Sequence, residues 1–574
     1  MKKHWLFIAL FCFVSATYAQ KQEPILFQYG NDVVTVKEFV NAYNKNNDIT
    51  KATEEELQEY LELYINFKLK VKQGYEEGID TSETFLKELA SYRSQSAQQY
   101  LIDKEVTKEL LEEAIERAQY HVRASHILIN CPATATPQDS LTAYKKIIDI
   151  RNQIKKGKIS FFDAAVKYSD DPSARDTYNE YTRRWQYGNR GELGYFTVFD
   201  LIYPFENRAY NTAVGEISMP VRSNFGYHII YVQDKVPAIS KIFAKQIFIN
   251  DTLARKGAMS TEAKTKIDEI YRQLKSGRSF GDVAKELSED QATKDKEGAL
   301  EPFQANRRPG NFIQECLRTK QGDFTSEPVA SILGWHILKI ENIEYANPNT
   351  DHGINYIKNK VSRDQRSHKS KESLVKKLKK EYKYKDRNKK KAFKFLAENI
   401  PANYFSNPDN TDLSQLNGID NLPPLFTYAD QVESVADFAS FISRFQGMEF
   451  HGDLINFLNE RFPYYVQDKI LAYENRNLEN KYPEFKELVT EYREGMILFE
   501  INTIKVWNEA IRDTVGIMEF YETIKDEYKK PFDEIKAIVI TEYQNELERR
   551  WIEELKQKYP VIINEEQFKA IIKK

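Results

Sequence analysis

YHVRASHILIN at 120–130 and GYHIIYV at 226–232 bracket the stretch whose reading decides the fold. Apolar residues alternate in both, the pattern of strands with one buried face, and each carries a histidine, His126 and His228. Between them lie helical patterns at 141–154 and 161–168, the run FFDAAVKYSDDPSAR at 161–175, and a glycine-punctuated segment, GELGYFTVFDLIYPFENRAY at 191–210. This order predicts one compact module of strands and helices, closed by VGEISMPVRSNFGYHIIYV at 214–232. Taken singly, a histidine in a strand is ordinarily a satisfied core residue. His126 and His228 have no third ligand at zinc-like spacing, and Cys131 and Asp171 would join them only by accident of the fold, so no metal is expected.

The ordered run from Tyr120 to Val232 resembles the parvulin-type peptidyl-prolyl isomerases. Such a catalyst makes no covalent bond. It holds a proline ring in an apolar cup and favours the twisted amide, whose barrier of about 20 kcal/mol comes from amide resonance. The resemblance implies a cup walled by Leu193, Phe196, Leu201 and Phe205, although Leu201 and Phe205 would serve equally as plain core. It implies a polar side formed by His126, Asp171, Ser223 and His228, with the two imidazoles close together on neighbouring strands. Asp171 stands where many relatives have cysteine and others aspartate, which argues against a covalent nucleophile.

A second copy follows in the same order. KIFAKQIFIN at 241–250 answers RASHILIN, SFGDVAKELSED at 279–290 answers SFFDAAVKYSDD, and GALEPF at 298–303 answers GELGYF. NFIQECLRTKQGDFTSEPVASILGWHILKI at 311–340 completes it. The copy keeps Asp290, Leu300, Phe312 and His336, but Gln246 replaces His126, and Arg307-Arg308 with Pro309-Gly310 replaces part of the pocket strand. A catalytic module at 119–235 and a degenerate one at 240–342, folded but weak or inactive, are therefore expected. The first module also carries an insertion, RDTYNEYTRRWQYGNR at 175–190, with Tyr178, Tyr181, Trp185 and Tyr187 among Arg183, Arg184 and Arg190. Nucleic-acid stacking is disfavoured there by export and by the acidic whole-chain charge; a substrate-recruiting loop or simple packing fits better.

MKKHWLFIALFCFVSATYAQ at the amino end reads as a signal peptide cleaved after Ala19, and Cys12 lacks the small neighbours of a lipid-attachment site. No later stretch has the apolar length of a membrane span. The sequence carries 83 Lys and Arg against 86 Asp and Glu, and loss of Lys2 and Lys3 makes the mature chain more acidic. Cys131 and Cys316 fall in different repeats, so no disulfide framework is expected. No phosphate-cradling glycine-rich motif appears, hence no ATP and no other cofactor.

Outside the modules, 24–118 opens with ILFQYGNDVVTVKEFVNAY at 25–43, a hairpin followed by a helix capped by Thr35 with Glu38 as its cap-box partner. Leu57, Tyr60, Leu61, Tyr64, Ile65 and Leu69 share a face of the next helix, with Lys68 to Lys72 read as solvated. PLFTYADQVESVADFASFI at 424–442 repeats the hairpin and helix, pairing Phe426 with Phe27 and Phe438 with Phe39. A basic helical connector at 348–408 carries a narrow seam of Leu374, Leu378, Phe393 and Leu396, read as a solvated face or a contact for acidic lipid or an acidic partner. The carboxyl-terminal domain at 410–574 ends in a helix bearing Ile540, Tyr543, Leu547, Trp551 and Leu555, then a strand at 561–563. The related halves could pack together or form two arms.

The expected architecture is multidomain α+β, two parvulin-like modules between mainly helical chaperone domains. Its resemblance to exported parvulin foldases implies a periplasmic isomerase and ATP-independent chaperone, soluble or peripheral to the outer membrane, with a carboxyl-terminal region of Bacteroidetes type. Its partners would be unfolded exported proteins, outer-membrane proteins above all, and an envelope translocon or assembly complex. The alternative is a structural or client-docking subunit of a cell-envelope secretion complex.

Overall fold

Where the sequence alternates, the computed structural model is extended: strands Tyr120–Asn130 and Gly226–Pro237 run antiparallel, with Leu128 opposite His228 and His126 opposite Ile230. The structure describes residues 23–132, 135–179, 184–186, 188–254, 258–401, 403–406, 411–447 and 453–572. The leader and Cys12 thus lie outside the described residues. No described helix is long and apolar enough to cross a membrane.

Glu192–Phe196 and the short Val221–Arg222 complete the first sheet, in the order Glu192–Phe196, Tyr120–Asn130, Gly226–Pro237, Val221–Arg222. The two-residue period sends Ile127 and Ile129 to one face, under helices Pro137–Lys155 and Phe161–Tyr168, with Ile147, Ile150 and Phe161. Val122 and Ala124 go to the other, under helix Tyr203–Tyr210 and its Phe205. Gly191 lets the sheet close beside the site. At φ +83° a side chain there would place Cβ 2.5 Å from the carbonyl oxygen of His126. The insertion makes a two-stranded ribbon, Thr177–Asn179 against Arg184–Gln186. Tyr178 is exposed and Arg190 pairs with Asp163. Tyr181, Arg183 and Tyr187, and the side chains of Arg184 and Trp185, lie outside the described residues.

The second module repeats the plan with strands Ile239–Asn250, Gly334–Tyr345 and Val329–Ser331 and helices Thr261–Lys275, Phe280–Leu287 and Gly310–Arg318. Residues 299–303 bridge its edge at Lys245–Ala299 and Ile242–Phe303, where the first module has a full strand. Pro309-Gly310 has a packing reason. A Cβ on Gly310 would meet Arg123 Nε at 2.4 Å and Glu192 Oε1 at 2.8 Å, so the glycine admits the Gly310–Arg318 helix onto the Arg123–Glu192 pair of the first module.

Contacts divide the chain into two units, Met1–Gln98 with Asn477–Lys574 and Gln99–Arg476. The amino- and carboxyl-terminal segments therefore pack together as one unit, and the divisions fall at 98 and 476 where the sequence places them at 118 and 410. Helix Lys104–Arg117 belongs with the second unit because Leu110 and Ala114 bury against Val198, Ile357 and Val361.

The duplication is visible in both units. Hairpin Ile25–Tyr29 with Asp32–Thr35, helix Val36–Tyr43 and helix Glu54–Glu76 have counterparts in Phe426–Tyr428, Gln431–Glu433, Val435–Ser443 and Leu454–Arg476. Phe27, Phe39, Leu57 and Ile65 are buried in one, Phe426, Phe438, Leu458 and Val466 in the other. Each hairpin gains a third extended partner. In the first unit it is strand Val561–Ile563 after helix Phe532–Lys558, as expected; in the second it is Lys385, bridging Thr427 between helices Ser367–Glu381 and Lys389–Asn399. The basic stretch is thus no spacer, because Leu378, Phe393 and Leu396 close the second core while most of its lysines face outward.

Two local readings are corrected. Lys68 and Lys70 are buried rather than solvated, at 7% and 5% exposure, because Glu494 and Glu548 from the returning carboxyl-terminal helices neutralise them. Thr35 accepts from the backbone N–H of Glu38, but the Glu38 side chain turns to Tyr64 and Lys68 instead of completing a cap box.

Candidate active site

Burial of His126 and His228 on adjacent strands leaves their polar edges facing each other over the Phe205 ring. That ring stands edge-on to both, 5.6 Å from His126 and 5.4 Å from His228. Leu193 and Leu201, half-buried, pack with Phe196 and Phe205 into the same cluster. All eight side chains read from the sequence therefore meet around one place.

The hydrogen bonds run in one direction. Asp171, as a carboxylate, can only accept, and His126 Nε2 lies 2.9 Å from its Oδ2. Donation there leaves His126 Nδ1 as an acceptor, so the proton between the rings belongs to His228 Nδ1, at 3.4 Å. His228 Nε2 is then an acceptor and receives the Ser223 hydroxyl at 2.7 Å. Ser223 Oγ accepts in turn from the Phe225 N–H.

Electrostatics keep this chain neutral at its rings. Burial lowers His126, against the pull of Asp171. Burial pushes His228 down to about 4, with His126 adding to the fall and Asp171 opposing it. For Asp171, burial alone would raise the carboxyl, but hydrogen bonds from Ser173 and then the His126 contact outweigh it and hold it below the ordinary carboxylate value. Every polar edge in the row is engaged by its neighbour, so the row offers no free nucleophile. It presents a fixed field beside an apolar cup.

The second module rebuilds the row with one exchange. Gln246 Nε2 donates to Asp290 at 2.6 Å, Gln246 Oε1 accepts from His336 Nδ1 at 3.2 Å, and His336 Nε2 accepts from Ser331 at 2.7 Å. Phe312 stands 5.3 Å from His336 at 86°, as Phe205 does to His228. The cup differs more than the row. Arg308 occupies the place of Leu201, its guanidinium 5.2 Å from the Phe303 ring and 5.9 Å from Phe312. Burial, then Arg308, pushes His336 down to about 4. Among the described residues no three His, Cys, Asp or Glu side chains converge as metal ligands.

Residues 126–234 and 247–342 match the Rotamase family, the PPIC-type PPIASE domain. Two segments of the chain are thus rotamase-like, and they are called rotamase domains 1 and 2. Over 239 residues it is 31% identical to "Chaperone SurA" of Xylella fastidiosa strain 9a5c, a stretch covering 40% of this chain and 47% of that protein. "Chaperone SurA" of Xanthomonas euvesicatoria is 30% identical over 240 residues, 41% and 48% of the two chains. The chain thus spans about half the length of these curated relatives. Among solved structures, the peptidylprolyl isomerase PrsA of Bacillus anthracis is 29% identical over 24% of this chain and 60% of its own, with a TM-score of 0.17.

What sequence reasoning missed around rotamase domain 1 is charge. Glu206, next to Phe205, and Arg366, inside the basic stretch, are both 0% exposed. A charged residue in a run of charged residues gives no sign that it is buried.

Proposed function

We propose that the chain is a parvulin-type peptidyl-prolyl cis-trans isomerase and an ATP-independent folding chaperone of the periplasm, serving exported and outer-membrane proteins. One observation carries the isomerase reading: a fully engaged row from the Asp171 carboxylate through two neutral rings to Ser223, beside the cup of Leu193, Phe196, Leu201 and Phe205. The cup seats the proline ring. The row supplies fixed dipoles next to the amide as it loses conjugation, so rotation needs no bond to the protein. Full-length protein with His126→Ala and His228→Ala should lose most exchange of an Xaa-Pro peptide, measured by NMR, by a factor on the order of 10²–10³. Unchanged exchange with a retained fold removes the assignment.

The chaperone reading draws on the unit containing both chain ends. Phe499, Ile511 and Val515 are more than 60% exposed. Phe85, Tyr492, Met496 and Phe499 line a cleft of about 880 Å³ there. Light scattering of an unfolded outer-membrane barrel protein tests it: the double histidine variant should still suppress aggregation. If suppression falls with catalysis, the helical unit is not the holdase. The reading as a docking subunit of an envelope complex, supported by Arg308 in the second cup, then gains. The Bacteroidetes-type assignment rests on the large carboxyl-terminal region alone.

A further inference from the structure

Glu206, beside the pocket wall Phe205, has no access to water. Its Oε1 accepts from Arg117 Nη1 at 2.9 Å. Its Oε2 accepts from Arg366 Nη2 and from the backbone N–H of Phe199, both at 2.8 Å. Both arginines come from outside rotamase domain 1: Arg117 ends helix Lys104–Arg117, and Arg366 immediately precedes helix Ser367–Glu381. Arg366 Nε donates to Asp364 at 2.7 Å, and its guanidinium lies 4.3 Å from the Phe199 ring and 4.7 Å from that of Tyr203. Phe199 has φ +70°, a region that bulky side chains avoid. It sits in the turn between the pocket residues Phe196 and Leu201. One carboxylate therefore ties the turn bearing Leu201 to the helix bearing Phe205, and one guanidinium covers the ring of Phe199, whose backbone is left-handed.

The fold of a rotamase domain does not require this charge. Ile313 holds the Glu206 position in domain 2 and is 0% exposed in an apolar cluster. A buried ion pair is also a poor source of stability compared with apolar residues of similar volume. Arg366 even leaves its Nη1 without a partner. What the pair supplies and an isoleucine does not is direction.

We propose that Arg366 is a positioning residue for the proline pocket of rotamase domain 1, acting through Glu206 on Leu201 and Phe205. This rests on domain 1 being an isomerase. The test uses full-length protein: wild type, Arg366→Met, Arg366→Lys, and Arg366→Met with Glu206→Gln. Xaa-Pro exchange is followed by NMR across peptide concentrations, alongside thermal unfolding. Arg366→Met should raise KM about tenfold with a smaller change in kcat, because the cup shifts while the histidine row stays. Arg366→Lys should recover part of that loss. Arg366→Met leaves Glu206 paired with Arg117 Nη1, so the variant should stay folded. Glu206→Gln added to it should lower the unfolding midpoint further, by leaving Arg117 with Glu113 alone, and keep KM high; if Arg366→Met does not fold, Arg366→Lys carries the test. A KM within twofold of wild type in the folded variant that carries the test, or a KM that climbs further as the double variant's midpoint falls, overturns the proposal. Wild-type protein without exchange sinks the isomerase reading and the inference with it.

Discussion

Rotamase domain 1 holds its row as Asp171, His126, His228 and Ser223, and domain 2 holds it as Asp290, Gln246, His336 and Ser331. An amide oxygen and nitrogen can stand in for the two nitrogens of a neutral imidazole, so the direction of every proton is preserved. A glutamine cannot be protonated in this range. Its presence fits the proposed reading, in which the row acts as a fixed set of dipoles and not as a proton donor. The departure that separates the domains is in the cup, where Leu201 packs with Phe196 and Phe205 in one and Arg308 stands by Phe312 in the other. The sequence names both Gln246 and the Arg307-Arg308 pair as departures; Gln246 rebuilds the row, whereas Arg308 changes the cup.

The comparison breaks most sharply at the paired phenylalanines. Phe205→Ala should reduce exchange of the full-length protein by about a hundredfold, with removal of the large buried ring also destabilising the domain by roughly 3–5 kcal/mol. Phe312→Ala should leave total exchange nearly unchanged. Circular dichroism must show both variants folded, and equal losses would mean that both cups are in use. Next in size, Arg308→Leu should raise the residual exchange of the His126→Ala, His228→Ala protein about tenfold, the worth of one apolar contact of roughly 1–3 kcal/mol. No gain would return the blame to Gln246.

A smaller effect sharpens the same point. His126→Gln should cost domain 1 only a few-fold in exchange, within the roughly 0.5–1.5 kcal/mol of one hydrogen bond, whereas His126→Ala should cost far more. Equal losses would show that the imidazole itself is needed. Stability gives a separate readout in the pH response, which both domains should share because His228 and His336 are each pushed down to about 4. Between the ordinary histidine value of about 6.5 and 4, the unfolded chain binds protons that the folded domains refuse. Stability should therefore be level above that window and fall as pH falls through it. Asp171 and Asp290, both held below the ordinary aspartate value, stay ionised throughout. Denaturation midpoints at pH 7, 6 and 5 check the sign; a rise in stability toward pH 5 contradicts the neutral row.

Much of this was legible because strand alternation and motif order carry their own geometry. The period of two around His126 and His228 marked both runs as strands, the resemblance brought the two rings together, and the repeat of Phe27 and Phe39 as Phe426 and Phe438 announced a shared hairpin and helix. Long-range pairing was not legible. Lys68 looks solvated until Glu494 arrives, and Arg366 looks like one more cation in a basic run until Glu206 does. Nor could spacing tell that the Lys389–Asn399 helix closes a core, since its apolar stripe is narrow and its partners lie beyond residue 425.

The pairing of Phe27 with Ile563 sets an order of events. In the second unit, Lys385 lies close in sequence to the hairpin it completes, so that core can close as soon as residue 476 or so is available. In the first unit, the hairpin at Ile25–Tyr29 has an open edge until the far end of the chain arrives. Closing the longer loop costs only roughly 2 kcal/mol more by the logarithmic entropy of chain closure. The penalty is delay: a chain released amino end first exposes an unpaired strand edge while both rotamase domains fold behind it. That edge is the place where a second copy could insert its own Val561–Ile563 strand, exchanging termini between two molecules.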